Sequence, residues 1–172
     1  STIGDTISMA KNRLITSRQY ASDIRIVQAD AMRKMPELSN IYIRYADRCR
    51  QANAMDFDDL LLNTYLLFAN HEDVRLKYAD RFKYVLVDEY QDTNYAQQTI
   101  VLQLTKEHHN VCVVGDDAQS IYGFRGANID NILNFNKFYS DAKMFKLEQN
   151  YRSTQLIVKA ANSLISHNQH QI

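Results

Sequence analysis

Three acids crowd into residues 82–94, FKYVLVDEYQDTN: Asp88, Glu89 and Asp92. Asp88 and Glu89 directly follow an unbroken apolar run, Tyr84-Val85-Leu86-Val87. A β-branched and aromatic run without alternation predicts a strand buried on both faces, as in parallel α/β sheets. The two acids then stand at its carboxyl end, the edge at which open parallel sheets bind ligands. An Asp there can hold Mg²⁺, directly or through water, while a Glu polarises the attacking water; together they form the metal-and-base half of a nucleoside-triphosphate site. Acids also end strands where a chain merely leaves the core, so the Asp-Glu pair does not decide the matter alone.

A second apolar run, Val111 to Val114, also ends in acids, at Gly115-Asp116-Asp117. Two such strands ending side by side would make a composite site. Gln119 is a neutral side chain able to hold a phosphate or a water. Tyr122 and Phe124, with Arg125 beside them, suit base stacking on a single nucleic-acid strand, worth about 1–3 kcal/mol per base. A third run, Met144 to Leu147, predicts another strand and leads to Tyr151, Arg152 and Ser153. The Arg152 guanidinium, just before a helix cap, has the fork geometry that grips phosphate. Tyr151 can offer a face to a base.

These strand ends need a scaffold, and the remaining sequence predicts a helical one. Ile3, Ile7, Ala10 and Leu14 fall on one stripe of a first helix, and Leu38, Ile41, Tyr42, Tyr45 and Cys49 on a helix after Pro36. Between them Ser22 to Met35 reads as helical with Ile24 and Val27 inward, leaving Arg13, Arg18, Arg25, Arg33 and Lys34 as exposed cations. Residues 1–52 carry nine Lys and Arg against five Asp and Glu, whereas residues 53–172 carry eleven against fifteen. A basic helical part on an acidic core suits a polyanionic partner. Asp56 with Asp59 predicts a capped helix whose core stripe is Phe57, Leu61, Tyr65 and Phe68. Asp56, Asp58 and Asp59 could also begin a metal-dependent nuclease site, but nothing follows at a spacing that completes one. Thr93 is the expected cap of a helix with Ala96, Ile100 and Leu104 inward, and Ser153 of a last helix with Leu156, Ile157, Ala160, Ala161 and Leu164 inward.

At 172 residues with 45% apolar and 23% charged residues, the composition is that of a globular domain. No apolar run approaches the roughly 20 residues of a membrane span. Cys49 and Cys112 are far apart, which fits a reduced, cytoplasmic setting.

VLVDEYQDT, VVGDDAQSIYGFRGA and LEQNYRS, in this order and spacing, resemble the second, third and fourth helicase motifs of the UvrD/Rep/PcrA family of superfamily one DNA helicases, and DFDDLL resembles the helix those proteins carry upstream. The resemblance covers about Asp56 to Ser166. It implies an α/β fold, a partial RecA-like P-loop NTPase core (53–152) with an N-terminal helical subdomain (1–52) and a helix leading toward a second RecA-like domain (153–172). It also implies ATP and Mg²⁺ as cofactors and single-stranded DNA and duplex junctions as partners, with stepping in the 3′-to-5′ direction in DNA repair or replication. By the same resemblance Asp88 serves the Mg²⁺ of Mg-ATP, Glu89 activates water, and Gln119 senses the γ-phosphate. Arg152 acts as an arginine finger, Tyr151 stacks on adenine, and Tyr122 and Phe124, near Arg125, stack on DNA.

The family often has Phe where this chain has Tyr90 and Trp where it has Phe124; both keep a ring. No GxxxxGK[ST] phosphate loop occurs, so the chain is expected to be an internal piece of a longer helicase, inactive by itself, with an unpaired strand edge that invites self-association. An inactive DNA-binding scaffold and the helicase half of a helicase-nuclease are the other classes open to this sequence.

Overall fold

The computed structural model describes residues 2–120, 122–123 and 126–167. Phe124 and Arg125 lie outside the described residues. The described residues are mixed α/β, mostly helical, with a small parallel two-stranded sheet.

Four helices come first: α1 (Ile3–Asn12), α2 (Ser17–Ser22), α3 (Ile24–Met32) and α4 (Leu38–Gln51). Thr2 with Asp5, and Thr16 with Gln19, close capping boxes that satisfy the first amides of α1 and α2. Ile7, Ala10, Tyr20, Leu38 and Tyr42 form the local core, and Ile15, Ile26 and Met35 pack on it. The Tyr20 and Tyr42 rings meet edge to face at 5.7 Å. Their hydroxyls donate to Asp30 (2.8 Å) and to the Ile15 carbonyl (3.0 Å), so both bury without an orphaned oxygen. The single helical segment expected over 22–35 is corrected to a break at Asp23, which leaves helical geometry and caps α3 by accepting from the Arg25 N–H. That break rotates the register, so Ile26 faces the core while Ile24 is 70% exposed.

The second layer contains α5 (Phe57–Asn70), α6 (Glu72–Arg81) and α7 (Tyr95–Thr105). Leu14, Leu62 and Ala96 are its buried centre, joined by Leu61, Tyr65 and Leu66. α1 thus joins both cores, with Ile7 and Ala10 in one and its trailing Leu14 in the other. Of the expected α5 stripe, Phe68 is buried and Leu61 and Tyr65 pack on this core, but Phe57 is 89% exposed, and Leu62, outside the stripe, is buried. Apolar residues surround most of this helix, so sequence pattern alone does not fix which face turns inward.

β1 (Val85–Val87) and β2 (Val111–Val113) pair in parallel, Val85 opposite Val111 and Val87 opposite Val113, with α7 as the crossover. Burial on both faces was the expectation, and it is corrected here. Val85, Val87, Val111 and Val113 are half-buried, but the alternation of the strand turns Leu86 and Cys112 outward, where no described helix covers them. The third strand expected at Met144–Leu147 is likewise irregular chain, with Phe145 and Leu147 exposed. A strand requires a neighbouring strand for its N–H and C=O groups, and this segment forms no strand pairing among the described residues.

Two short helices, α8 (Asp130–Leu133) and α9 (Phe135–Phe138), follow the second strand and its loop. Phe135 packs against the Tyr90 ring at 5.7 Å and the Tyr139 ring at 4.8 Å. The last helix described, α10 (Gln155–Ile165), has Thr154 rather than the expected Ser153 at its cap position. Its expected inward stripe is not buried among the described residues. No described helix is long and apolar enough to cross a membrane.

Candidate functional site

Parallel pairing brings the carboxyl ends of β1 and β2 to one edge. The Val114 N–H donates to the Val87 carbonyl (2.8 Å) and the Tyr90 N–H to the Val114 carbonyl (3.0 Å), so the two following loops leave the sheet joined. Asp88 and Glu89 head the first loop and are exposed. The Glu89 N–H donates to Asp88 Oδ1 at 2.9 Å.

Glu89 has φ 50° and ψ 42°, in the left-handed region. Of the other non-glycine residues with positive φ, Leu14, Lys34 and Asn53 sit just past helix C-caps and His109 closes the turn after α7, where this conformation commonly ends a helix. Glu89 has no helix to end. A non-glycine residue held in this sparsely populated region persists where its surroundings over-determine it, as functional loops do. Tyr90, next in the chain, supplies part of that restraint, for its ring is 1% exposed and wedged against Phe135. Burial pushes the Tyr90 phenol up to about 12.

Gln91, also 1% exposed, is the hub of the site. Its Nε2 donates to Glu89 Oε2 at 2.7 Å, and its Oε1 accepts from the Asp116 N–H at 3.0 Å. A backbone N–H can only donate and a carboxylate can only accept, so these partners fix which way the amide faces. The Gln91 carbonyl accepts from Ser120 Oγ at 3.3 Å. Asp116 in turn accepts the Ala118 N–H on Oδ1 (3.0 Å) and Gln119 Nε2 on Oδ2 (2.7 Å). An unbroken hydrogen-bond chain therefore runs from Glu89 through Gln91 and Asp116 to Gln119. Gly115 leaves room for it: a Cβ there would lie 2.5 Å from Gln91 Oε1 and 2.8 Å from Ile132 Cδ1.

The loop carrying Tyr122 folds back on the same segment. Asn128 donates its N–H to the Thr93 carbonyl (3.0 Å), Ala127 bridges Asn94, and the buried Asn131 amide donates to Thr93 Oγ1 (3.1 Å) and the Thr93 carbonyl (3.0 Å). Tyr122 is 39% exposed. The Thr93 hydroxyl donates to the Tyr90 carbonyl, and the cap of α7 is Asn94, a correction of the expected Thr93. Asn94 is the better placed because its carboxamide both accepts from the Gln97 N–H and reaches α1.

The acids opening α5 are engaged structurally. Asp56 and Asp59 close a capping box, and the buried Lys11 ammonium lies 2.6 Å from Asp56 and 2.7 Å from Asp59. Tyr45 donates to Asp56 at 2.7 Å and Asn12 Nδ2 to Asp58 at 2.9 Å. Burial works against the Lys11 charge, yet its hydrogen bonds to Asp56 and Asp59 outweigh this and raise it above its ordinary value. Burial likewise opposes the Asp56 charge, but the Lys11 and Tyr45 bonds hold its carboxyl below the usual range. Among the described residues no group of three or more His, Cys, Asp or Glu could hold a metal ion. Arg13, Arg18, Arg25, Arg33 and Lys34 are exposed as expected, with Arg25 paired to Asp23 and Arg33 to Asp30.

Asp88, Glu89 and Gln119 thus share one sheet edge. Tyr151 and Arg152 are exposed beyond it, on a turn in which Asn150 Oδ1 accepts the Arg152 and Ser153 N–H groups, both at 2.9 Å. No hydrogen bond or ion pair joins Arg152 to Glu89 or Gln119 among the described residues. Gln91, Lys11 and Asn131 are absent from the sequence reading. Only Gln91 carried a signal, its place two residues past Glu89 at a strand end.

Residues 1–140 match the family described as UvrD/REP helicase N-terminal domain. The chain is 46% identical over 171 residues, 99% of its length, to the ATP-dependent DNA helicase PcrA of Leuconostoc citreum, covering 22% of that protein. It is 44% identical over 163 residues to PcrA of Bacillus subtilis, with 95% of the chain and 21% of the relative aligned. Against the ATP-dependent DNA helicase UvrD1 of Mycobacterium tuberculosis it is 43% identical over 173 residues, 96% of the chain and 22% of the relative. The chain spans about a fifth of the length of these curated relatives.

Proposed function

Because the chain belongs to the UvrD/REP helicase family, we propose that it is part of a longer ATP-dependent DNA helicase that moves 3′ to 5′ on single-stranded DNA and opens duplex junctions in DNA repair or replication in the cytoplasm. In this reading 53–152 form part of the first RecA-like domain, 1–52 a helical accessory region, and 153–172 lead toward the second RecA-like domain. The observation that carries the proposal is the joining of two parallel strand ends into one edge, with the Glu89 carboxylate exposed in a left-handed turn and linked by hydrogen bonds to Gln119.

Glu89 is exposed, with Oε2 held by Gln91; its carboxylate draws a proton from a water whose oxygen attacks the γ-phosphorus, while the bond from that phosphorus to the β–γ bridging oxygen breaks and ADP and phosphate leave. Gln119 meets the γ-phosphate and passes its presence to the loop of Tyr122, Phe124 and Arg125, which stack on and attract the DNA strand. Arg152 offsets the developing phosphate charge on domain closure, and Tyr151, its ring 92% exposed, stacks on adenine. Asp88 suits Mg²⁺, being exposed with Oδ1 accepting from the Glu89 N–H, since this cation needs only one or two protein carboxylates beside phosphate and water. When bound, Mg²⁺ neutralises charge on the phosphate oxygens. The β- and γ-phosphates need the cradle of a GxxxxGK[ST] loop, which this sequence lacks. That cradle belongs to another part of the longer protein, and the chain alone is not expected to turn over ATP. Self-association through open strand edges is a further expectation, readable by sedimentation.

The test is ATP hydrolysis by the full-length protein with and without single-stranded DNA. Stimulation by DNA is expected, and Phe124→Ala should weaken that stimulation more than it weakens ATP binding. Hydrolysis indifferent to DNA would exclude the motor reading.

A further inference from the structure

We propose that Gln91 is a positioning residue for hydrolysis: its buried amide fixes the Glu89 carboxylate and ties it to the loop that bears Gln119. The inference rests on the reading of Glu89 as the base and Gln119 as the phosphate contact. Gln91 is 1% exposed, so its own end of both bonds is shielded from competing water. The bond to Glu89 is charge-assisted and 2.7 Å long, while the bond from the Asp116 N–H, at 3.0 Å, grips the backbone of the second strand's loop. Asp116 then holds the Gln119 amide at 2.7 Å.

The backbone at Glu89 is in a sparsely populated conformation, so its side chain needs an outside restraint to stay aimed. Gln91 provides one. Movement of the Gln119 loop, pulled by DNA on one side or phosphate on the other, shifts the Asp116 N–H and with it the Glu89 carboxylate. Misplacement of a reacting group by about 1 Å can lower a rate by about 100-fold. Gln91 accordingly sets how well the water is aligned and how tightly hydrolysis follows occupancy of the DNA loop, while contributing little to ATP affinity.

Two substitutions in the full-length protein separate the bonds. Gln91→Glu keeps an oxygen for the Asp116 N–H but replaces the donor to Glu89 with a repelling charge, whereas Gln91→Leu removes both bonds. Both are expected to lower DNA-stimulated kcat by about 10- to 100-fold with KM for ATP within about threefold. Gln91→Leu should also lose DNA stimulation to the greater extent. In the Glu89→Gln background, neither change should reduce the residual rate further. Wild-type kcat in both variants would overturn the positioning role. So would kcat loss accompanied by a proportional rise in KM and a lowered melting temperature, or a further fall in the Glu89→Gln background. If Glu89→Gln alone turned over ATP at the wild-type rate, the base assignment would fail, and the positioning role with it.

Discussion

Asn94 Nδ2 donates a buried 2.7 Å hydrogen bond to Asn12 Oδ1, across 82 positions of sequence. Asn94 caps the helix that follows the Asp88-Glu89 loop, and Asn12 ends α1, beside the Lys11 that joins Asp56 and Asp59. The N-terminal helices are therefore fastened to the site loop through a polar seam as well as through Leu14.

Lys11→Met is expected to destabilise the fold by about 3 kcal/mol, because it leaves Asp56 and Asp59 without their counter-charge. Lys11 is raised above 10.5, so its contribution is complete below that value and is lost as pH rises through its folded value. Asp56 is lowered below 3.8, so its contribution is present above that value and is lost as pH falls through its folded value. Denaturant titrations should show a difference between wild type and Lys11→Met that is level from roughly pH 5 to 9 and shrinks outside that window.

Tyr90→Phe should change stability by under about 1 kcal/mol, since the ring stays against Phe135 and only a hydroxyl is lost. Tyr90→Ala should cost about 3–5 kcal/mol through the cavity it opens. Chemical denaturation measures both, and equal effects would contradict a packing role for the ring.

Gly115→Ala places a methyl 2.5 Å from Gln91 Oε1. The displaced amide should lower DNA-stimulated turnover by about tenfold or more with ATP KM little changed, as read by steady-state kinetics. Unchanged turnover would show that the loop accommodates the methyl without disturbing Gln91.

Asp88→Ala should sharply lower turnover at ordinary Mg²⁺ and shift the Mg²⁺ dependence of the residual activity upward by about tenfold or more, as expected when a coordinating carboxylate is lost. A titration superimposable on wild type would exclude Asp88 as the metal residue.

Local chemistry was legible in the sequence. Asp56 with Asp59 read as a cap because a side chain meeting an amide three residues on leaves its mark within four letters, and the place of Asp88 and Glu89 at the end of a strand was legible by the same locality. The long-range partners were not legible: nothing within several residues of Lys11 announces Asp56, nor does the surrounding segment connect Asn12 with Asn94. Helix phase also failed where the pattern was broken or saturated, at Ile24 behind the Asp23 break and at Phe57 on a helix apolar nearly all round. Met144–Leu147 has strand-forming residues, but a strand exists only with a neighbour, which a one-dimensional pattern does not supply.

Single-turnover ATP hydrolysis by the full-length protein carrying Glu89→Gln, with single-stranded DNA and saturating Mg-ATP, tests most directly whether these two strand ends form a hydrolytic site. The expected result is a rate lower by about 100-fold or more, the usual worth of a general base, with ATP still bound. A rate within twofold of wild type would contradict it.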